Sequence, residues 1–341
     1  MTESHRFNPH FKKRVGRNVL KTPPKVSVVI PAYNSADYIC EALDSVFAQR
    51  FREYEIIVIN DGSPDAEQFE RAIRTRREDI VYIRQHNAGA GSARNTAIEN
   101  ARGELIAFLD ADDIWLPDFL SSQVMLLERG GYDMVYCDAI LFGLNSPRRR
   151  TFMDTAPSTG EANFESILDL RCNVITSGTV ARKQPIIDAG MFEPEPVRAH
   201  DFLLWLNMAR RGAKIGYQRE QLLKYRVRLD SLSGDAVERI ARERQAFERA
   251  AKTIKLTEKE RAMVSKHLAG LEADLAVVEG KSLLLSGDYS DAALAFHSAN
   301  RHRRSLKLAA VAWLTRLAPR MLLKYYLSKR ADEIAFLPRR T

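Results

Sequence analysis

Short runs of β-branched and other apolar residues alternate with amphipathic stretches along the first third of the chain. Four of these runs are almost continuously apolar, which is typical of strands that are buried on both faces of a sheet. They lie at 26–30, 55–60, 80–84 and 104–110. Helical periodicity is found between them, at 37–49, 65–77 and 91–101. This order predicts an α/β fold in which helices cover both faces of a mostly parallel sheet.

A polar cluster follows each of the four predicted strands. In chain order the clusters are PAYN (31–34), DGS (61–63), HNAGAGSARN (86–95) and DADD (110–113). Any one of them alone would be ordinary turn chemistry. Open parallel sheets bind ligands at the carboxyl ends of their strands, and all four clusters fall on that edge. Four clusters in register therefore indicate a binding site.

The last of these clusters places Asp110, Asp112 and Asp113 within four positions of one another. Clustered carboxylates repel one another and lose hydration, so a stable fold requires a compensating positive charge beside them. Asp110 and Asp112 are two positions apart, which at a strand end puts both side chains on one side, about 7 Å apart. Carboxylate oxygens suit Mg²⁺ or Mn²⁺, which proteins commonly hold with one or two carboxylates and substrate phosphates. Asp113 is either part of this site or an N-cap-like residue of the turn at 114–117.

Two common nucleotide-binding motifs do not fit this chain. The stretch that starts at Gly89 and Gly91 carries Arg94 where a GxGxxG fingerprint requires its third glycine, and it lies in the third βα unit instead of the first. A GxxxxGK[ST] motif is absent from the sequence. The pattern therefore argues against a dinucleotide-dependent dehydrogenase and excludes a P-loop site.

Beyond residue 125 the clean alternation ends. The sequence predicts a strand at 132–142 and a helix at 198–212, and it is helical in character from residue 236 onward. The stretch 279–300 resembles half of a tetratricopeptide-type hairpin. A single copy cannot form a solenoid, so a small helical bundle is the better prediction.

The segment 305–330 combines leucine, tryptophan and tyrosine residues with a basic residue every few positions. Charges at this spacing argue against a helix that spans a bilayer, whereas a basic amphipathic helix can lie in the membrane interface. The alternative is an ordinary pair of packing helices broken at Pro319. The pattern leaves both interpretations open.

The formal net charge of +8 is concentrated at the two ends of the 341-residue chain. Residues 1–25 carry +6 and residues 301–341 carry +9, so the body at 26–300 carries −7. An acidic body argues against a nucleic-acid surface, whereas basic ends suit an anionic membrane.

Three widely spaced cysteines without a CxxC pair indicate a reducing compartment. Without a recognisable signal peptide, the chain is predicted to be cytoplasmic, with a peripheral position at the inner face of the membrane as the alternative.

The ordered set VSVVIPAYN, VINDGSPD, HNAGAGSARN and FLDADD closely resembles the nucleotide-sugar half of family 2 glycosyltransferases, which have the GT-A fold. The resemblance covers about residues 25–235. It implies an inverting, metal-dependent transfer of a sugar from a nucleotide diphosphate donor, most simply a UDP-sugar, to a glycan or lipid-linked glycan. The domains expected are a flexible basic arm (1–24), a nucleotide-sugar-binding half (25–125), an acceptor-binding half (126–235) and a C-terminal helical region (236–341).

The resemblance also implies roles for residues of the four motifs. Asp112 would bind Mn²⁺ or Mg²⁺ directly, and Asp110 would lie near the metal or the ribose. Asp61 would accept a hydrogen bond from the base, a contact that suits the imide N–H of uracil. The other donor-site residues implied are Pro31, Tyr33, Asn34, Asn87 and Arg94, of which Arg94 would lie against the base or the diphosphate.

A candidate general base stands near residue 200. The segment 177–195 resembles the part of these enzymes that bridges to the acceptor site, and members of the family then carry an acidic pair ahead of an aromatic-rich helix. This chain has His200 and Asp201 there. Asp201 is the predicted base, favoured by the positive end of the helix dipole, and its alternative role is that of an N-cap. His200 is given no role.

The run KYRVRLDSLS at 224–233 resembles the loop that closes over the diphosphate in this family. Arg226, Arg228 and Ser231 are the candidate contacts.

Two other functions stay open on the sequence alone. A nucleotidyltransferase shares strand-end carboxylates, although its Gly-rich, Lys-containing opening loop is absent here, and a non-catalytic scaffold could act through the helical tail.

Overall fold

The computed structural model describes residues 12–15, 23–143, 150–193, 200–227 and 236–335. They form two compact units, divided between residues 227 and 228. The strands described are β1 (Lys12–Val15), β2 (Val26–Ala32), β3 (Tyr54–Asp61), β4 (Val81–Gln85), β5 (Leu105–Phe108), β6 (Ile114–Trp115), β7 (Met134–Gly143), β8 (Thr179–Arg182) and β9 (Ile215–Val227). The α-helices of the first unit are α1 (Ile39–Phe47), α2 (Ala66–Ala72), α3 (Gly89–Asn100), α4 (Phe119–Gly130), α5 (Phe164–Leu168), α6 (Lys183–Asp188) and α7 (His200–Arg210).

The strands pair into one sheet with the order β1-β4-β3-β2-β5-β8-β7-β9-β6. The four consecutive strands β4, β3, β2 and β5 are parallel, which confirms the α/β fold class and brings their carboxyl ends to one edge. β8 runs antiparallel to both of its neighbours, β5 and β7. The second half of the sheet therefore mixes parallel and antiparallel pairs, which the irregular pattern beyond residue 125 does not reveal.

Alternate residues of the parallel strands pack on opposite faces of the sheet. Val28 and Ala107 are paired across β2 and β5 and share one buried cluster with Leu43 of α1. Phe108, the next residue of β5, contacts Trp205 of α7, with ring centroids 6.0 Å apart. Helices therefore cover both faces, as near-continuous apolar strands predict.

β1 falls within the segment that the sequence predicts to be a flexible arm. The structure instead pairs it with the edge strand β4 in antiparallel register, with Lys12 opposite Arg84 and Val15 opposite Val81. An edge strand presents a row of unpaired backbone N–H and C=O groups, and a short extended segment can satisfy them whatever its side chains are. The other residues up to 22 lie outside the described part of the chain.

The second unit contains the helices α8 (Ala236–Thr253), α9 (Glu258–Ser286), α10 (Tyr289–Arg303), α11 (Leu306–Leu317) and α12 (Pro319–Ala335). A capping box begins α9, because the side chains of Thr257 and Glu260 each accept a hydrogen bond from the other's backbone N–H. Gly280 of α9 lies against Phe296 of α10, and a Cβ at this glycine would come within 2.8 Å of the ring. Close approach of the two helices therefore depends on the glycine.

The helix break predicted at Pro319 is present, since α11 ends at Leu317 and α12 begins at the proline. Proline is well tolerated at the first position of a helix, where its missing N–H has no intrahelical partner to lose. Across the described residues, we find no helix with the length and apolar character needed to cross a membrane.

Candidate active site

The loops that follow β2 and β3 are bound to each other at the carboxyl edge of the sheet. The backbone N–H of Asn34 donates to Ser63 Oγ (2.5 Å), and the Ser63 N–H donates to Asn60 Oδ1 (2.9 Å). Asn34 adopts a left-handed conformation with φ of 49°, a region that asparagine tolerates better than most residues. Of the predicted nucleoside-pocket residues, Pro31 lies in β2 itself and Tyr33 is exposed beside it.

Asp61 ends β3 with its carboxylate buried. Its Oδ1 atom accepts hydrogen bonds from Gln85 Nε2 (2.7 Å) and from the backbone N–H of Ala88 (3.0 Å). Gly62 follows with φ of 68°, and a Cβ there would come within 2.6 Å of the Asn87 backbone nitrogen. The DGS motif is thus held against the loop that contains Asn87, and the structure brings these two predicted donor-site residues together.

The DADD segment turns sharply between β5 and β6. The backbone N–H of Asp110 donates to Ser177 Oγ (3.0 Å), and Asp113 Oδ1 accepts from the backbone N–H of Arg226 in β9 (2.8 Å). Asp113 is fully buried and is followed at once by strand β6, so its predicted N-cap-like role is wrong. It instead joins the DADD turn to β9.

The three carboxylates lie close enough to repel one another. Burial raises the pKa of Asp113 well above its ordinary value, and the charges of Asp110 and Asp112 raise it further. Asp113 is therefore held toward its neutral form, while Asp110 and Asp112 stay partly exposed. These two provide the hard oxygen ligands that Mn²⁺ or Mg²⁺ takes.

The described residues contain no group of three or more His, Cys, Asp or Glu side chains that could hold a metal ion. Two partly exposed carboxylates nevertheless fit an ion whose other ligands are substrate phosphates and water. The donor set of this site thus matches a cation that arrives with a nucleotide diphosphate.

Part of the compensating charge for this cluster comes from the protein itself. Arg94 of α3 is 6% exposed, and its Nη2 atom lies 2.5 Å from Asp110 Oδ1. Its Nη1 atom lies 2.9 Å from His200 Nε2, which is the acceptor because a guanidinium can only donate. The guanidinium also packs on the Phe192 ring, with Arg94 Cζ 5.5 Å from the ring centroid. Arg94 is therefore engaged by Asp110 and His200, and the structure does not place it as an exposed contact for the base or the diphosphate.

Arg226 also differs from its prediction. It lies within β9, which extends to Val227, so it is not part of a closing loop. Its Nε atom donates to the backbone oxygen of Asp112 (2.7 Å), and its Nη2 atom lies 3.0 Å from Glu41 Oε2. Through this hydrogen bond to the Asp112 backbone, Arg226 stabilises the DADD turn. The other two predicted contacts of that run, Arg228 and Ser231, fall outside the described residues.

Asp201 lies in the first turn of α7. Its Oδ2 atom accepts a hydrogen bond from the hydroxyl of Thr176 (3.1 Å), and its Oδ1 atom accepts from the backbone N–H of Phe202 (2.9 Å). Thr176 and Ser177 belong to a single 3₁₀ turn, Thr176–Gly178. This turn therefore contacts the predicted base with one residue and the DADD backbone with the next.

Two contacts link Asp201 to the DADD segment. Asp201 accepts from Thr176, and the next residue, Ser177, accepts from the backbone N–H of Asp110. Arg94 also joins Asp110 to His200, the neighbour of Asp201 in the chain. Burial raises the pKa of the Tyr225 phenol in β9, and the charges of Asp113, Asp110, Asp112 and Asp201 raise it further, in that order, which agrees with one shared site.

We expect Thr176→Val to lower turnover by about tenfold, because Asp201, the predicted base, loses the hydrogen bond that the hydroxyl donates to it. Thr176→Ser keeps the hydroxyl and is the matched control, with near-normal turnover. Turnover measured for both variants tests this, and an unchanged rate for Thr176→Val would show that the hydroxyl does not act on Asp201.

Comparison with known proteins identifies the family. The model described as glycosyl transferase family 2 matches residues 27–184. The putative teichuronic acid biosynthesis glycosyltransferase TuaG of Bacillus subtilis is 30% identical over 62% of this chain and 82% of its own length. The chain belongs to glycosyl transferase family 2. The chain is also similar to WfaP of Escherichia coli, with 27% identity over 64% of this chain and 83% of WfaP. WfaP is a UDP-Glc:alpha-D-GlcNAc-diphosphoundecaprenol beta-1,3-glucosyltransferase.

Solved structures support the GT-A fold of this family 2 glycosyltransferase. Staphylococcus aureus TarS 1–349, in complex with UDP-GlcNAc, aligns with a TM-score of 0.58 at 20% identity, over 91% of this chain and 89% of TarS. The mannosyltransferase PcManGT of Pyrobaculum calidifontis, in complex with GDP-Man and Mn²⁺, aligns with a TM-score of 0.58 at 22% identity, over 92% and 86%. Family membership makes the protein a glycosyltransferase enzyme, which sets aside the nucleotidyltransferase and the non-catalytic scaffold.

Proposed function

We propose that this family 2 glycosyltransferase moves a sugar from a UDP-sugar to an acceptor hydroxyl, with inversion at the anomeric carbon and with a divalent cation bound at Asp112 and Asp110. One observation carries the proposal. The turn Thr176–Gly178 donates to the Asp201 carboxylate through Thr176 and accepts from the Asp110 backbone through Ser177, which supports a site where a general base stands beside carboxylates that can hold a metal-bound diphosphate.

The donor side of the proposal rests on the loops after β2 and β3. β2 and β3 are paired up to Ala32 and Asn60, so the buried Asp61 and the exposed Tyr33 both follow this last pair at the carboxyl edge of the sheet. A carboxylate can accept from an imide N–H, and an exposed aromatic ring can stack on a base. UDP-GlcNAc is the ligand of TarS, UDP-Glc is the donor named for WfaP, and Mn²⁺ accompanies the nucleotide sugar of PcManGT. A bound cation would supply charge stabilisation for the departing diphosphate.

The acceptor side rests on Asp201. A carboxylate in the first turn of a helix is stabilised in its ionised form by the helix dipole, so it can accept a proton from an acceptor hydroxyl. The hydroxyl then attacks the anomeric carbon from the face opposite the diphosphate. Because Asp201 acts as a base in this scheme and no protein nucleophile is needed, an α-linked donor gives a β-linked product.

We further propose that the acceptor is a glycan or a lipid-linked glycan, reached at the inner face of a membrane. Support comes from the similarity to WfaP, which is named for a sugar carried on diphosphoundecaprenol, and from the basic C-terminal segment of this chain. A donor of the UDP type and an acceptor on a lipid would meet at such a surface.

A transfer assay tests the proposed function. The intact chain is incubated with a panel of UDP-sugars, Mn²⁺ and synthetic lipid-linked GlcNAc acceptors, and UDP release is followed together with product mass. We expect release of UDP for one donor in the panel and a product whose anomeric proton coupling has the β form. Absence of UDP release with every donor of the panel, or an α-linked product from an α-linked donor, would contradict the proposal.

A further inference from the structure

Helices α11 and α12 present two different faces. Their inner face packs into the core of the helical unit, where Leu308, Val311, Leu322 and Leu323 contact the cluster that contains Phe296. These contacts account for the packing interpretation of the segment 305–330. They involve only about a third of its large apolar side chains.

The outer face is apolar as well, although it faces solvent. Its exposed large side chains range from 46% accessible, at Leu327, to 90%, at Leu306. Between these limits lie Trp313, Leu317, Met321 and Tyr325. In α11, Leu306, Trp313 and Leu317 follow at spacings of seven and four positions, and in α12, Met321 and Tyr325 are four apart, so each set lies on one side of its helix. Leu327, two positions beyond Tyr325, lies on a different side of α12. The other five exposed large apolar residues, called the stripe below, exceed what a surface free of any partner normally carries.

The charged residues of the segment that carries the stripe all have one sign. From residue 292 to residue 331 the chain contains nine Lys or Arg residues and no Asp or Glu. Lys307, Arg316, Arg320 and Lys324 are exposed and alternate with the apolar side chains of the stripe. A protein partner or a second copy of the chain would have to be uniformly acidic over the same surface, whereas an anionic bilayer supplies negative head groups above an apolar interior.

We propose that the stripe formed by Leu306, Trp313, Leu317, Met321 and Tyr325 is a lipid-binding surface that lies in the interface of an anionic membrane. The apolar side chains enter the head-group boundary, and the flanking basic side chains contact anionic lipids. This inference does not depend on the catalytic assignment, because it rests on the exposure and charge of the second unit alone.

Tryptophan fluorescence gives a direct test, since two of the three tryptophans, Trp115 and Trp205, are buried and only Trp313 is exposed. The full chain is titrated with phosphatidylcholine vesicles and with vesicles that contain about one third phosphatidylglycerol. We expect a blue shift of the emission only with the anionic vesicles, reversed by high salt. Trp313→Phe should lose the shift while still floating with the vesicles.

A charge variant tests the basic residues. Arg316→Gln, Arg320→Gln and Lys324→Gln combined should weaken partitioning onto the anionic vesicles by about 100-fold, since each contact contributes about fivefold. The matched control carries the same change at Lys252, Lys255 and Lys259, exposed lysines of the same unit away from the stripe, and should partition like the wild type.

Two results would overturn the inference. Equal flotation of the charge variant at Arg316, Arg320 and Lys324 and of its lysine control would remove this face of the helices as the lipid contact. A blue shift that grows with protein concentration in the absence of vesicles, accompanied by a doubled mass in solution, would make the stripe a contact between copies of the chain.

Discussion

Replacing Asp201 with Asn is expected to lower sugar transfer by about 10²–10⁴-fold, while UDP and Mn²⁺ still bind. Asn has the shape of Asp and can still accept the hydrogen bond from the Thr176 hydroxyl, but it cannot take a proton from the acceptor. The loss should therefore appear in turnover, and neither the melting temperature nor the nucleotide affinity should change appreciably. Turnover, melting temperature and UDP affinity are measured on the same preparation.

The matched control for this variant is Asp188→Asn, which makes the same change at an exposed carboxylate near the end of α6 and should leave transfer unaffected. An Asp201→Asn enzyme that transfers sugar within a few-fold of the wild type would move the base elsewhere. Asp201 would then serve only to begin α7, a role that Asn fills equally well.

Replacing Asp112 with Asn is expected to abolish the Mn²⁺-dependent part of UDP binding and, with it, transfer. The side chain is partly exposed at a sharp turn, so its loss removes a metal ligand without opening a cavity in the core. The fold should persist, because the turn is held through its backbone by Arg226 and through Asp110 by Ser177. Calorimetric titration of UDP with and without Mn²⁺ measures the effect.

Asp113→Asn separates metal binding from general charge loss in the same cluster. Because the pKa of Asp113 is raised by burial and by its two neighbours, the residue is already held toward its neutral form, and Asn closely imitates that form. We expect this variant to keep Mn²⁺-dependent UDP binding. Equal loss of binding in the Asp112 and Asp113 variants would assign the effect to the turn as a whole.

The sequence predicts which motifs share one edge of the sheet, for a physical reason. Each motif follows an apolar strand, and parallel strands end at one edge, so Asp61, Asn87 and Asp110 converge without any knowledge of long-range contacts. The α/β class and the helical C-terminal region follow from local periodicity in the same way.

The contacts that join distant segments are not accessible to that reasoning. The Arg94 guanidinium contacts His200 across 106 positions, and Arg226 binds the Asp112 carbonyl across 114. Nothing in the local pattern distinguishes an arginine that closes over a ligand from one that supports a turn. The structure separates the two roles. β9 extends to Val227, so Arg226 is a strand residue that supports the turn, and Arg94 is buried, so it is not an exposed ligand contact.

The sequence pattern also does not predict a role for Thr176 and Ser177, because small hydroxyl residues at the start of a strand are common and carry no periodic signal. Ser177 is the first residue of the segment 177–195 that resembles the bridge to the acceptor site, but this resemblance assigns it no role. The structure adds that one 3₁₀ turn binds the predicted base and the DADD backbone together.

Calorimetric titration of the intact chain with UDP and a panel of UDP-sugars, in Mn²⁺ and in EDTA, tests the central claim most directly. The claim is that the DADD edge binds a nucleotide diphosphate through a divalent cation. We predict that UDP and one UDP-sugar bind in Mn²⁺ and lose most of their affinity in EDTA, and that GDP-mannose binds more weakly. Equal affinity for UDP in both buffers, or no binding of any UDP compound in Mn²⁺, would contradict the account.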